Sequence, residues 1–112
     1  MSGPTLSTHV LDTTHGRPAA AMAVRLERDG MLLWSGATDA DGRCPALREV
    51  VLAEGRYALT FGVAPYFRAA GTALSDPPFL DDVTIRFGLA GTGHYHVPLL
   101  VSPFGYSTYR GS

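Results

Sequence analysis

The apolar residues of this chain recur with a period of two, which is the repeat of a β-strand that buries one face. Between residues 56 and 63, every second residue is a large apolar one, beginning with Tyr57. The same alternation predicts strands over residues 22–27 and 83–87. Further strands are predicted over 6–11, 32–37 and 94–101, with a less distinct one over 46–52.

Turn residues separate these segments. Asp29 and Gly30 form a dipeptide that is typical of a tight hairpin between two strands. Residues 39–42 close the next segment, and residues 88–93 are predicted to join two strands as another hairpin. Residues 77–78 are both proline and therefore mark a loop.

One stretch, residues 65–74, has the pattern of a short helix, because it begins with proline and its apolar residues are spaced for one face. Seven or eight short strands and one short helix predict an all-β fold, an antiparallel β-sandwich. We expect a single domain over residues 1–112, with residues 1–4 as a flexible tail.

Composition excludes several classes of protein. Nine basic residues, all Arg, oppose ten acidic ones, and a net charge of −1 argues against a nucleic-acid binder. The absence of Lys excludes Schiff-base chemistry. No apolar run approaches the roughly 20 residues of a membrane span. Because Cys44 is the single cysteine and no signal peptide is recognisable, we expect a cytoplasmic protein.

The histidines are the candidate reactive residues. His94 and His96 are two residues apart on a predicted strand, so their side chains share a face, and the opposite face is the better core face. His9 lies in the first predicted strand, whose inward face is ambiguous, and His15 lies in the turn after it. The spacing alone leaves three interpretations open: a metal site lacking an evident third ligand, an acid–base role, or surface histidines.

Two further features invite a functional interpretation. Arg43 follows a turn, and an arginine in that position is usually just a solvent-exposed charge. The last segment, residues 104–112, carries three aromatic residues and an arginine, which predicts either a docked terminal strand or a segment lining a site. The outward sheet face also carries Pro98 and Leu100, and an apolar face of this kind favours association into an oligomer.

The sequence resembles the transthyretin-like family over nearly its whole length. The resemblance is carried by residues 6–19, 38–43, 66–68, 78–81, 94–103 and 106–112, together with Tyr57. The final tetrapeptide, residues 109–112, is similar to the ending of the enzyme branch of this family, which hydrolyses 5-hydroxyisourate. The hormone carriers of the same fold lack that ending.

The resemblance implies a prealbumin-like sandwich and a homotetramer, a dimer of dimers, with its sites at the dimer–dimer interface. It implies hydrolysis of 5-hydroxyisourate to 2-oxo-4-hydroxy-4-carboxy-5-ureidoimidazoline, without a metal or an organic cofactor. The site residues that it implies are His9, Arg43, His96, Tyr109, Arg110, Gly111 and Ser112. His94 matches the motif without an implied catalytic role.

These residue types suit the opening of a lactam. One neutral histidine can take a proton from water, while the other orients water or protonates the leaving nitrogen. The sequence does not assign the two roles between His9 and His96. Arg43 can hold a developing oxyanion, and Ser112 can fix the water or a histidine. The alternatives are attack by Ser112 as a nucleophile, or a carrier of small aromatic ligands.

Overall fold

In a computed structural model, residues 3–111 fold into two β-sheets with one short α-helix; Met1, Ser2 and Ser112 lie outside the described residues. The strands are β1 (Thr5–Asp12), β2 (Arg17–Pro18), β3 (Ala23–Arg28), β4 (Met31–Ala37), β5 (Gly55–Gly62), β6 (Asp82–Leu89), β7 (His94–Ser102) and β8 (Gly105–Thr108). A 3₁₀ helix covers Pro45–Glu49, and the α-helix α1 covers Val63–Ala69.

Each sheet has four strands, in the orders β2-β1-β7-β8 and β4-β3-β5-β6. Neighbouring strands are antiparallel except for β1 and β7, which run parallel. Side chains of the two sheets meet in one core, and β4 adds only the partly buried Trp34 to it. In β1, the residues facing this core include Leu6 and Val10, and Val97 and Leu99 of β7 lie beside them. The prediction of a β-sandwich with seven or eight strands and one short helix is confirmed, and the strand count is eight.

The turn dipeptide Asp29–Gly30 joins β3 to β4 as predicted. Asp29 has φ of 52° and Gly30 has φ of 75°. Two successive residues with positive φ are typical of the type I′ turn, whose twist matches that of the flanking strands. The helix is also confirmed, but it begins at Val63 and ends at Ala69, before Gly71.

Two local predictions are wrong. Residues 88–93 do not form a hairpin, because β6 and β7 belong to different sheets and the loop crosses between them. Residues 46–52 do not form a strand. Pro45 begins a 3₁₀ helix that buries Leu47, and proline is favoured in the first turn of a helix because it has no N–H to satisfy.

The two ends of the described chain are both held by contacts. Pro4, within the segment predicted as a tail, is buried, and Gly3 lies against the backbone of Leu52. The C-terminal aromatic segment forms β8 on the edge of β7, so the alternative of a docked terminal strand is confirmed. Within residues 3–111, no helix is long and apolar enough to cross a membrane.

Candidate active site

Four adjacent chain segments bring His9, Arg43, His96 and Gly111 into one row on a sheet face. The parallel register of β1 and β7 places Ser7 opposite His96 and His9 opposite Pro98. On the far side of β1, His9 pairs with Arg43, and on the far side of β7, His96 pairs with Gly111. Strands lie about 4.8 Å apart, so this row of four segments is about 14 Å wide.

The buried residues of β1 show which of its two faces carries the site. Leu6, Thr8 and Val10 are buried, so Ser7 and His9 lie on the opposite, outer face. His94 and His96 are half-buried on the same face, as the alternation in β7 predicts. The ambiguity in the first strand is thereby resolved, and three of the four histidines share one side of the sheet.

Arg43 is held beside His9 by a compact turn. The carboxylate of Asp39 accepts hydrogen bonds from the backbone N–H groups of Asp41, at 2.9 Å, and Arg43, at 3.0 Å. The N–H of Val10 donates to the carbonyl oxygen of Gly42 at 2.8 Å, which ties the turn to β1. These hydrogen bonds hold the backbone at Arg43 in place and so fix where its side chain begins.

A carbonyl partner determines the tautomer of His9. Its Nε2 lies 2.8 Å from the backbone carbonyl oxygen of Asp41. A carbonyl oxygen only accepts hydrogen bonds, so Nε2 carries the proton and donates it. In the neutral imidazole this leaves Nδ1 with a free lone pair, which is what a general base requires.

A chain of hydrogen bonds holds the other two histidines. The hydroxyl oxygen of Ser7 lies 2.7 Å from Nδ1 of His96 and 2.8 Å from Nε2 of His94. Nδ1 of His94 lies 2.6 Å from the hydroxyl oxygen of Thr5. The free nitrogen of His96 is therefore Nε2.

The electrostatic setting keeps His96 neutral. Burial lowers its pKa, and the neighbouring Arg43, His9 and His94 contribute to the same lowering. Burial also lowers the pKa of His94, with a contribution from Arg48. Both imidazoles are therefore uncharged at neutral pH, and a substrate at this face meets a neutral histidine beside a permanent cation.

The C-terminal segment extends the pairing of β8 along β7. The N–H of Gly111 donates to the carbonyl oxygen of His96 at 2.7 Å. A Cβ atom on Gly111 would lie only 2.6 Å from Cδ2 of His96, so glycine lets the backbone approach the imidazole. Tyr109, opposite Pro98 in the same register, lies on the outer face and is 60% exposed.

Arg110 has a different position from its neighbours. Its guanidinium lies 3.9 Å from the centre of the Tyr95 ring, in a cation–π contact. Tyr95 alternates with His94 and His96 and so belongs to the other face of the sheet. The structure thus brings His9, Arg43, His96, Tyr109 and Gly111 to one face and directs Arg110 away from it. Ser112 lies outside the described residues.

His15 belongs to a separate cluster. Its Nδ1 contacts the buried carboxylate of Asp12 at 2.6 Å, and the hydroxyl of Tyr66 donates to the same carboxylate at 2.7 Å. Burial acts to raise the pKa of Asp12, but the hydrogen bonds from Tyr66 and His15 outweigh it, and the pKa is lowered. This cluster anchors the end of β1 rather than contributing to the histidine face.

Thr5 and Ser7 are the polar residues that sequence reasoning missed. They occupy the same alternate positions of β1 as His9, which is a signal visible in the sequence. Their importance depends on the pairing of β1 with β7, across 89 residues of chain, and that pairing is not visible there. No group of three His, Cys, Asp or Glu side chains within residues 3–111 could hold a metal ion.

Two sheets with this connectivity, carrying three histidines and an arginine on one outer face, define a transthyretin-like sandwich with the residue types of an acid–base site. The chain belongs to the HIUase/Transthyretin family, whose model matches residues 6–111. The family resemblance noted in the sequence is confirmed.

Individual relatives agree with this assignment. The chain is 53% identical to the 5-hydroxyisourate hydrolase of Mesorhizobium japonicum, over 98% of this chain and 94% of that protein. The structure of Klebsiella pneumoniae 5-hydroxyisourate hydrolase matches with a TM-score of 0.86 and 38% identity, over 100% of this chain and 96% of that one. A crystal structure of (S)-allantoin synthase matches with a TM-score of 0.90 and 40% identity, over 99% of this chain but only 44% of that longer one.

Proposed function

We propose that this protein is a 5-hydroxyisourate hydrolase, which opens the lactam of 5-hydroxyisourate to give 2-oxo-4-hydroxy-4-carboxy-5-ureidoimidazoline during the degradation of urate. The observation that carries the proposal is the row formed by Arg43, His9, His96 and Gly111 on one sheet face. The row occurs in a chain about half identical to proteins of that name.

In this proposal His9 is the general base. Nε2 donates its proton to the carbonyl oxygen of Asp41, so Nδ1 is the nitrogen left to act as an acceptor. Nδ1 takes a proton from water, and the resulting hydroxide adds to the lactam carbonyl carbon. The carbonyl of Asp41 stabilises the imidazolium that forms, because it keeps accepting from Nε2.

Arg43 and His96 complete the reaction. The guanidinium of Arg43 presents several donors in one plane and stabilises the oxyanion that develops on the attacked carbonyl. Nε2 of His96 donates a proton to the leaving nitrogen as the carbon–nitrogen bond breaks. The base and the acid are then different histidines, since the tautomer of His9 leaves an acceptor free.

The C-terminal residues are proposed to border the substrate. Gly111 packs against the imidazole of His96, and the exposed ring of Tyr109 lies on the same face. We assign Arg110 a structural role in holding the terminal strand on Tyr95, rather than a substrate contact. Ser112 follows Gly111 directly, and a role in fixing the water or a histidine is part of the proposal.

The active assembly is proposed to be a homotetramer, a dimer of dimers with sites between dimers. Its support is the surface of the single chain, in which Phe104 is 73% exposed, Tyr106 48% and Tyr109 60%, all along or beside the edge strand β8. Pro98, expected on an exposed apolar face, is buried within the chain and adds nothing to that surface. Sedimentation equilibrium should give four times the chain mass of 11.9 kDa.

A cytoplasmic location belongs to the same proposal. Its support is that Cys44 is the chain's single cysteine, so the fold needs no disulfide and no oxidising compartment.

The test is the decay of freshly made 5-hydroxyisourate, followed by ultraviolet absorbance after urate oxidase has produced it. The protein should accelerate the decay, and His9→Ala should lower kcat by about 10² or more, because losing a general base costs that much. Decay at the uncatalysed rate with wild-type protein would refute the proposal and favour a ligand carrier. An acyl-enzyme adduct in the mass spectrum during turnover would instead favour nucleophilic attack by Ser112.

A further inference from the structure

Four side chains on the outer face of β1 and β7 form one unbroken hydrogen-bonded chain. It runs from Thr5 to His94, from His94 to Ser7 and from Ser7 to His96, with separations of 2.6, 2.8 and 2.7 Å. The parallel register makes this possible, because Thr5 lies opposite His94 and Ser7 lies opposite His96. Every link is short enough for direct proton transfer along a hydrogen bond.

Counting the hydrogen atoms shows that donation along these hydrogen bonds must run in one direction. Ser7 has one hydroxyl hydrogen but contacts a ring nitrogen of each of two histidines. It can donate to only one of them, so the other imidazole must donate to Ser7. Each neutral imidazole carries one N–H, and the choice made at Ser7 therefore fixes the tautomers of His94 and His96 together.

The hydroxyl of Thr5 favours one direction. Within the described residues, its one side-chain hydrogen bond is to Nδ1 of His94, and donation there gives its hydroxyl hydrogen an acceptor within the protein. His94 then donates from Nε2 to Ser7, and Ser7 donates to Nδ1 of His96. The proton of His96 is left on Nε2, the nitrogen that the proposed function uses as the acid.

We propose that Thr5, His94 and Ser7 are positioning residues that form a proton relay ending at His96, an inference that rests on the proposed function. As Nε2 of His96 gives its proton to the leaving nitrogen, Ser7 gives its hydroxyl proton to Nδ1. His94 replaces that proton from Nε2, Thr5 gives its own to Nδ1 of His94, and Thr5 recovers one from solvent. Afterwards Nε2 takes up the proton that His9 removed from water, and the reverse shift returns a proton to solvent.

The relay explains how a neutral histidine, His96, can act as an acid at this site. A neutral imidazole is a poor acid, since loss of its only N–H would leave an anion. His96 is neutral at neutral pH, because burial and the neighbouring Arg43, His9 and His94 lower its pKa. The relay lets His96 give up one proton while it gains another, so it never becomes anionic. His94 is kept neutral by its burial and by Arg48, as a relay requires.

The test compares Ser7→Ala with wild type across pH. Without the hydroxyl, His96 can act as an acid only when it is an imidazolium. The ratio of wild-type to variant kcat should therefore be about tenfold or more near pH 8.5 and should fall steadily as the pH is lowered. Taking the ratio cancels any pH dependence that both proteins share. Substrate made at one pH can be mixed with enzyme at each test pH in a stopped-flow instrument, which allows kcat to be measured at every pH.

Three variants complete the kinetic experiment. Ser7→Thr keeps the hydroxyl and should restore most of the activity above pH 8. Thr5→Val removes the far end of the relay without changing side-chain shape, and should show the same pH trend if Ser7→Ala does not fold. Ser102→Ala, at the opposite end of β7, is the matched control and should behave as wild type. A defect of equal size at every pH, or no defect at all, would overturn the relay.

A measurement that needs no turnover separates this inference from the proposed function. Nitrogen-15 NMR of histidine-labelled protein should show His96 protonated at Nε2 and unprotonated at Nδ1. In Ser7→Ala the two ring nitrogens of His96 should have chemical shifts averaged between the two neutral tautomers, because Ser7 no longer fixes one of them. Protonation of His96 at Nδ1 would overturn the relay direction even if the enzyme is active. A wild-type protein that does not accelerate substrate decay would refute the proposed function, whatever the NMR result.

Discussion

Alanine at position 111 should damage catalysis without harming the fold. A Cβ atom there would lie 2.6 Å from Cδ2 of His96, and 3.3 Å from its Cβ and Cγ. Carbon atoms in contact stay about 3.5 Å apart, so the ring must retreat by about 0.9 Å. The backbone of Gly111 cannot yield easily, because its N–H is bonded to the carbonyl of His96 at 2.7 Å.

The displaced ring would lose its alignment with Ser7 and with the substrate. A misplacement of about 1 Å costs on the order of 10² in rate, so Gly111→Ala should lower kcat by roughly that factor. KM should change much less, because Arg43 is untouched. Position 111 lies outside the core, so the free energy of unfolding should stay within about 0.5 kcal/mol of wild type.

Gly105→Ala is the matched control for this change. It makes the same substitution in the same terminal segment, but a Cβ atom at position 105 meets nothing within 4 Å. Its kcat on 5-hydroxyisourate should equal that of wild type. Full activity in Gly111→Ala would refute the argument that the close approach of residue 111 orients His96. So would an equal loss in both variants.

Two further changes have defined outcomes. Arg43→Lys should lower kcat by about 10² or more, since an ammonium cannot reproduce the planar donors that stabilise an oxyanion; wild-type kinetics would contradict this. Tyr66→Phe should cost about 1.5–3 kcal/mol in urea unfolding at pH 7, because it removes a hydrogen bond to the buried carboxylate of Asp12. The pKa of Asp12 is lowered in the folded state, so its contribution is present at neutral pH and lost as the pH falls below about 4. The cost of Tyr66→Phe should therefore shrink at pH 3, and a cost independent of pH would argue against the ionised carboxylate.

Local patterns in the sequence were sufficient for most strands. Alternation located β5 and β6 closely, and the dipeptide Asp29–Gly30 located the hairpin between β3 and β4. Such signals act over a few residues, and they are strong because a half-buried strand and a tight turn each restrict the residue types they accept. The common face of His94 and His96 followed from the same alternation.

Partners distant in the chain were not predictable in this way. The loop over residues 88–93 has the residues of a turn, but turn residues do not say which sheet the next strand joins. Likewise, the contact between Ser7 and His96 depends on a parallel pairing across most of the chain. The side on which Arg110 lies depends on the register of the terminal segment, which places it with Tyr95 rather than with the histidines.

The most direct test of the central claim is a double-mutant cycle on His9 and His96. A base and an acid that act in one step on one face should be strongly non-additive. We predict that His9→Ala, His96→Ala and the double variant all lose kcat on 5-hydroxyisourate, and that the double variant is little slower than the slower single one. Losses that multiply independently, or wild-type activity in either single variant, would contradict the claim that these two histidines work together.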